Sequence, residues 1–505
     1  MWSLQQFLTE EWGISYSTAT KIVNVFGGML NFSPLIIRHI LDAFTGNYLM
    51  VVLSSVSYSI GLILLTVSAI GTSNITNGQQ EGYYSVSTLQ KVLFFSALPL
   101  IIFGSSIHRT NALERLVDEE DSALTRTSNF VSKVAVIVVA AVAFVIPFTL
   151  KQWQYRFLFP AAFMVLATAI FLSGSSMYKK DGPQGSPQTT VLRVLVASFL
   201  RRSNNSLTNS SSHRHNHRTP YSHRFRYLDR AVGTDILKNQ SAKLNQNNRW
   251  RNCTEKEVEE IKKVLVRIPL CLTLFILGVI YCVRDSYFIE QAGTMDQYVG
   301  RSKVPLVVLE FGSKISKALF ASLYSVITKK FTRNEKSKYA GCVGIAVSMV
   351  LATLCCMVSA KMEILRLFDV NIYNLHDTDS TVPMSMFWLL PQNCLLGGFK
   401  GILDKSIDFF FSDDDDPTSS EWFMIHFAFF IFGLGNIGSV VLVSMLSQLS
   451  TWGSDGTSWF EDNLNDSRLD NYYWVLASLS IGNILCYRIL YSCTDLRSEV
   501  RYQSD

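Results

Sequence analysis

Residues 47–78, NYLMVVLSSVSYSIGLILLTVSAIGTSNITNG, run for 32 positions without one acidic, basic or histidine side chain. Roughly 20 apolar residues are enough to cross the hydrocarbon core of a bilayer as a helix. Backbone N–H and C=O groups find no water there, so such a segment must satisfy them internally, as a helix does. Comparable runs recur along the 505 residues, of which 48% are hydrophobic and only 17% charged. Soluble domains carry about 25% charged residues. The expected class is therefore an all-α, polytopic membrane protein, with the lipid bilayer as its first partner.

Hydropathy and flanking charges predict eleven membrane helices. Five, near 18–43, 47–70, 88–110, 129–150 and 155–177, precede a long polar stretch. Six, near 263–284, 303–327, 339–360, 383–408, 421–447 and 471–492, follow it. Pro34, Arg38 and Asp42 interrupt the first, and charges inside a span usually face a bundle interior or a watery cavity.

The intervening stretch, 179–262, holds sixteen Lys/Arg against seven Asp/Glu, a surplus of nine in a chain whose total is +5. Excess Lys/Arg marks the cytoplasmic side of a membrane protein. The short basic loop TKKFTRNEKSK, 328–338, falls on the same face, and the acidic loop 448–470 on the opposite one. The C-terminus is thus expected in the cytoplasm. The organisation read from this is an N-terminal bundle over 1–178, a largely disordered cytoplasmic linker over 179–262, a six-helix bundle over 263–495, and a tail over 496–505.

Within the linker, RRSNNSLTNSSSHRHNHRTPYSHRFRYLDR (201–230) carries four of the eight histidines. Its Ser/Asn-rich composition without packing periodicity reads as a polar connection rather than a metal site or nucleic-acid arm, with arginines suited to anionic lipid. All nine cysteines lie after residue 252 without a CxxC pair, so neither a disulfide framework nor a zinc site is expected. No P-loop or nucleophile–base spacing suggests an enzyme, and no cofactor is implied. GLGNIG (433–438) satisfies GxGxxG, but within an apolar span close helix packing explains it. Asn74-Ile75-Thr76 and Asn465-Asp466-Ser467 are glycosylation sequons.

SWFEDNLNDSRLDNYYWVLASLS (458–480) resembles the last loop and final helix of the plant nitrate/peptide transporter family. That family comprises the plant members of the proton-dependent oligopeptide transporters, in the major facilitator superfamily. Trp459, Phe460, Asn463, Leu464, Asn465, Leu469, Asp470, Tyr473 and Trp474 occupy the shared positions. Further stretches are similar in family order: LFFSALPLIIFGSSIHR (93–109), GSSMYKKDGPQGSPQTTVLRVLVASF (174–199), FRYLDRA (225–231), RWRNCTEKEVEEIKKVLVRIPL (249–270), FIEQAGTMD (288–296) and MSMFWLLPQNCLLGG (384–398).

The resemblance implies two six-helix halves working by alternating access on a small solute such as nitrate, a short peptide or another organic compound, usually in symport with protons. It implies the plasma or vacuolar membrane. STATKIVNVFGG (17–28) matches the entry to the second family helix. The residues before it are too few to span, so the first family helix and its ExxER motif are expected to be missing, leaving five plus six. Proton coupling stays open on that account. So do two alternatives to transport: a degenerate membrane sensor or partner protein, and a transporter sequence that begins short of its natural start.

Residue by residue, Arg109 stands at the family's helix-four lysine, and Asp408 one position before its helix-ten glutamate. The two are candidates for a pair between the halves, the alternative being that Asp408 begins the acidic loop SDDDDP (412–417). Lys400, a further coupling candidate, stands where the family often has an acid, and lies four residues from Asp404, within pairing reach on a helix, a pairing that would serve a structural role only. Tyr281, Asn24 and Asn393 are candidate pocket groups, with ordinary packing or interhelix hydrogen bonding as their alternatives. DAFTGN (42–47) matches the family's DxxxGR gating turn at Asp42 and Gly46, with Asn47 replacing its arginine.

Overall fold

A computed structural model describes residues 2–44, 46–73, 86–108, 141–142, 145, 150, 152–176, 178, 187–200, 225–231, 253–331, 338–376, 381–411, 419–453, 458–461 and 463–493. Helices α2 (Tyr16–Phe44), α3 (Asn47–Ser73), α4 (Thr88–His108) and α5 (Trp153–Ser173) form one group. The segment before them is also helical: α1 (Trp2–Gln6) runs into a π-helical turn, Phe7–Glu11. Ten helical residues rise about 15 Å, half the hydrocarbon thickness. Their apolar side holds the segment in place: Phe7, Leu8 and Trp12 are buried in a core shared with Phe94, Trp153 and Phe157.

The second group follows a short helix, α6 (Pro187–Leu200), and a 3₁₀ turn at Arg226–Ala231. It comprises α7 (Glu255–Leu272), α8 (Leu274–Tyr281), α9 (Tyr287–Thr294), α10 (Val307–Phe331), α11 (Lys338–Tyr373), α12 (Leu390–Phe411), α13 (Ser419–Gly453) and α14 (Leu469–Cys493). Its core runs from Val264 to Tyr487 and is separate from that of the first group. Ten of the eleven expected spans coincide with these helices; the span at 129–150 lies outside the described residues but for 141–142, 145 and 150. Among the described residues, seven helices are long and apolar enough to cross a membrane, eight if the bent α7–α8–α9 segment is one span. Helices α10 and α12 are too polar to qualify on composition, owing to Glu310, Lys314 and Lys317 in one and Lys400, Asp404, Lys405 and Asp408 in the other.

Several boundaries differ from hydropathy for local reasons. Helix α7 begins at Glu255 instead of 263, because Thr254 and Glu257 make a capping box: Thr254 Oγ1 accepts from the Glu257 N–H at 3.3 Å and Glu257 Oε2 from the Thr254 N–H at 2.9 Å. Helix α12 begins at Leu390 instead of 383, with Pro391 in its first turn, where the missing N–H is tolerated. Ahead of it, Val382–Ser385 pairs in parallel with Met295–Asp296. Helix α11 runs on to Tyr373, since its late charges Glu363 and Arg366 neutralise each other.

The two groups meet along α2 and α13. A Cβ added at Gly28 would lie 2.8 Å from the Gly433 carbonyl oxygen, so the backbones touch there. Phe32 stacks on Phe430 at 4.4 Å, and at one end Tyr16 meets Tyr287 edge-on at 5.9 Å. GLGNIG is the hub of this packing. Gly433 faces α2, whereas a Cβ at Gly435 would come 2.0 Å from the Phe275 carbonyl oxygen in α8. Small residues let two helices approach α13 from different sides.

Candidate functional site

Charge inside a bundle is costly unless compensated, and α12 carries it on a helix buried on most sides. Lys400 is only 6% exposed. Its Nζ donates to Asp404 Oδ1, one turn on, at 2.5 Å. The other Asp404 oxygen pairs with Lys317 Nζ of α10 at 2.7 Å. One carboxylate thus bridges two ammonium groups from two helices.

The rest of the Lys400 head is enclosed by rings: Phe432 at 4.4 Å, Phe429 at 5.1 Å and Tyr281 at 5.6 Å from Nζ to centroid. Ring faces attract a desolvated cation. Tyr281, at the end of α8, has a second cation near it, with the Arg284 guanidinium 4.9 Å from its centroid. Arg284 is held by a two-point contact to Asp285, both bonds 2.9 Å. A turn of α10 adds the Glu310–Lys314 pair at 2.8 Å. Arg284, Asp285, Glu310 and Asn393 line a small cavity of about 10 Å³, roughly the space one water occupies.

Among the described residues of this cluster, Arg284, Lys314, Lys317 and Lys400 stand with Asp285, Glu310 and Asp404, four cations to three carboxylates. The 3₁₀ turn Cys282–Asp285 that breaks α8 from α9 also touches α2, so the cluster borders the seam between the groups. Such an arrangement can hold an anion by letting it replace Asp404 as the partner of either lysine.

The residues singled out from sequence fall in different places. Tyr281 and Lys400 come together in this cluster, and Asn393 lies beside it while donating to the Leu389 carbonyl at 2.9 Å. Asn24 sits at the seam, 3% exposed, and donates to Ser439 Oγ at 3.4 Å. Its Oδ1 is buried without a hydrogen-bond partner among the described residues. Asp408 is half exposed and lies 3.7 Å from Lys405. Arg109 and the Asp42 side chain lie outside the described residues. The Gly46 carbonyl accepts from the Met50 N–H at 3.1 Å, at the start of α3.

Sequence reasoning missed Arg284, Lys317 and the bridging role of Asp404. The available signal was the charge density of α10 and α12, too high for lipid-facing helices. A second buried ionic group was also missed. Arg366, 1% exposed, makes two 2.8 Å bonds to Glu363, a 2.7 Å bond to Asn465 Oδ1 and a 3.0 Å bond to the Leu464 carbonyl. Gln291 of FIEQAGTMD donates to Glu363 at 2.6 Å. Two of the motif stretches therefore meet at one latch.

Comparison with known proteins agrees with this architecture. The family model PTR2, described as the POT family, matches residues 48–460. Protein NRT1/PTR FAMILY 5.5 of Arabidopsis thaliana is 33% identical over 97% of this chain and 92% of its own length. Protein NRT1/PTR FAMILY 5.12 of the same plant is 29% identical over 95% and 86%. The crystal structure of the POT family transporter PepTSo superposes with a TM-score of 0.65 at 14% identity, covering 98% of this chain and 95% of that one. A POT family transporter in complex with 5-aminolevulinic acid gives 0.58 at 15% identity, over 98% and 93%. These likenesses show the fold, a helical transporter of the major facilitator type. The chain belongs to the POT family, with the plant nitrate/peptide transporters.

Proposed function

We propose that the chain is an alternating-access secondary transporter whose small solute carries an anionic group, bound beside Tyr281, Arg284, Lys317, Lys400 and Asp404. The observation that carries this reading is the Asp404 bridge between Lys400 and Lys317. A carboxylate that already neutralises two cations offers a ready exchange of partners. Solute entry frees Asp404 from one lysine, and solute release restores the pair, so the cluster is compensated in both states.

Protons are the proposed coupling ion, with Asp404 as the helix-α12 carboxylate that exchanges partners, in place of the half-exposed Asp408. The loop charges favour residues 179–262 and the C-terminus in the cytoplasm, and the plasma or vacuolar membrane as the location.

The test is uptake in oocytes across an imposed pH gradient, with nitrate and a labelled dipeptide as probes and surface expression checked by biotinylation. Uptake that rises as the outer medium is acidified, and falls at least tenfold in Lys400→Met and Asp404→Asn, is expected. Surface-expressed protein without uptake of any anionic or zwitterionic solute favours the degenerate sensor or partner instead. Undiminished uptake in Lys400→Met removes the proposed site. Arg109→Ala tests separately a pair between Arg109 and Asp408.

A further inference from the structure

Helix α6 stands beside the two groups and is apolar on both long faces. One face is packed: Val194 and Ala197 are fully buried against Leu228, Ala231, Val258 and Ile261. The other is open, with Leu192 53%, Val196 38%, Phe199 71% and Leu200 51% exposed. Those positions follow the i, i+4, i+7, i+8 spacing of one helical stripe. Among the described residues no element covers it.

The helix is pinned where the bundle enters the membrane. Gln188 Nε2 donates at 2.8 Å to the carbonyl of Leu35, two residues before the apolar span of α2 ends at Ile37, and Arg193 pairs with Glu257 in the first turn of α7. Asp229 of the neighbouring 3₁₀ turn pairs with Lys262 of α7. An open stripe held level with the end of that apolar span is placed where a lipid leaflet would meet it. The sequence adds the complementary charge: Arg201 and Arg202 follow the helix directly, within a stretch of sixteen Lys/Arg against seven Asp/Glu. An apolar stripe with a basic flank is what interfacial helices present to anionic lipid. A second copy of the chain would bring the same basic flank against this one, which like charge disfavours.

We propose that α6 is an interfacial helix that seats Leu192, Val196, Phe199 and Leu200 at the acyl boundary of the adjoining leaflet, under anionic phospholipid headgroups. The test uses the full chain in nanodiscs of mixed phosphatidylcholine and phosphatidylglycerol. The photoreactive analogue benzoylphenylalanine replaces Phe199, and the products of irradiation are weighed intact. Phospholipid adducts are expected, with phosphatidylglycerol enriched several-fold over its share of the bilayer. That enrichment is expected to vanish in Arg201→Gln/Arg202→Gln. The same group at Ile489, 62% exposed on α14, is the lipid-facing control. Crosslinks from position 199 to a second copy or within the chain, or no adduct while position 489 captures lipid, overturn the proposal. Capture of phosphatidylglycerol only in proportion to its share overturns the anionic part.

Discussion

Replacing Arg366 with Met isolates a buried carboxylate. In the native protein Glu363 is 0% exposed and receives two bonds from Arg366 and one from Gln291. The variant leaves it with Gln291 alone. Removing one partner of a buried ion pair costs about 3–5 kcal/mol, because the remaining charge is uncompensated, whereas replacing both partners by apolar groups is often neutral. Arg366→Met/Glu363→Met removes the charge as well, though Asn465 Oδ1 and the Leu464 carbonyl lose their donor in both variants, at about 1–3 kcal/mol for an orphaned acceptor. In the double variant Gln291 Nε2 also loses its acceptor, at about 1–3 kcal/mol, so that variant should be the more stable of the two by roughly 2 kcal/mol. Equilibrium unfolding in mixed detergent micelles, followed by circular dichroism, measures both. A double variant as unstable as Arg366→Met, or less stable, would refute the claim that compensation governs this site.

Other outcomes follow from the same reasoning. Lys400→Met leaves Asp404 with Lys317 as its lysine partner and should lower solute uptake at least tenfold at normal surface expression, whereas Lys400→Arg should retain part of it; transport assays in oocytes decide. Gly435→Val drives a side chain against the Phe275 carbonyl, 2.0 Å from its first carbon, and should cost at least the ~1–3 kcal/mol of ordinary overpacking. Gly482→Ala, where a Cβ meets nothing within 4 Å, should leave the melting temperature unchanged. Asn465 is 4% exposed and bonded through both ends of its amide, to Arg366 and to the Leu375 carbonyl at 2.9 Å. Peptide mapping after endoglycosidase should find it unmodified, and Asn465→Ala should destabilise the fold.

The spans were legible because lipid imposes one rule on every residue of a long stretch, and a window sums it. That is why Asn47–Ser73 and Leu469–Cys493 fall within a few residues of their expected limits. Helix ends set by single contacts were not legible: the Thr254 capping box adds two turns to α7 against its hydropathy. The site was half legible. Lys400 and Asp404 share one helix, so their spacing is a local property and their pairing could be read directly. Lys317 reaches Asp404 from another helix, and Arg284 reaches Tyr281 only because α8 ends in a 3₁₀ turn. Spacing along the chain carries no trace of the first, whereas the second is a local i,i+3 neighbour. Asp408 lies one position from the family's helix-ten acid, yet the fold turns Asp404, one turn earlier, toward the interior.

The two ionic groups of the second half also differ in a way that separates stability from function. Arg366 is saturated by fixed acceptors on α11 and the 463–468 loop, and it lies in the interior of that half alone. Its bonds need not change in transport. The Lys400 group borders the seam, and its bridging carboxylate is shared between two helices. Its cations rest partly on ring faces, which can hold a cation while its anionic partner is exchanged. A compensated charge enclosed within one packed group stabilises that group. The Lys317–Asp404–Lys400 bridge also lies within the second group, between α10 and α12, but the neighbouring turn Cys282–Asp285 touches α2, and on the proposed reading this position lets its partners exchange. Mutations at Arg366 should therefore lower folding and surface abundance together, with uptake per surface molecule preserved, and mutations at Lys400 should do the reverse.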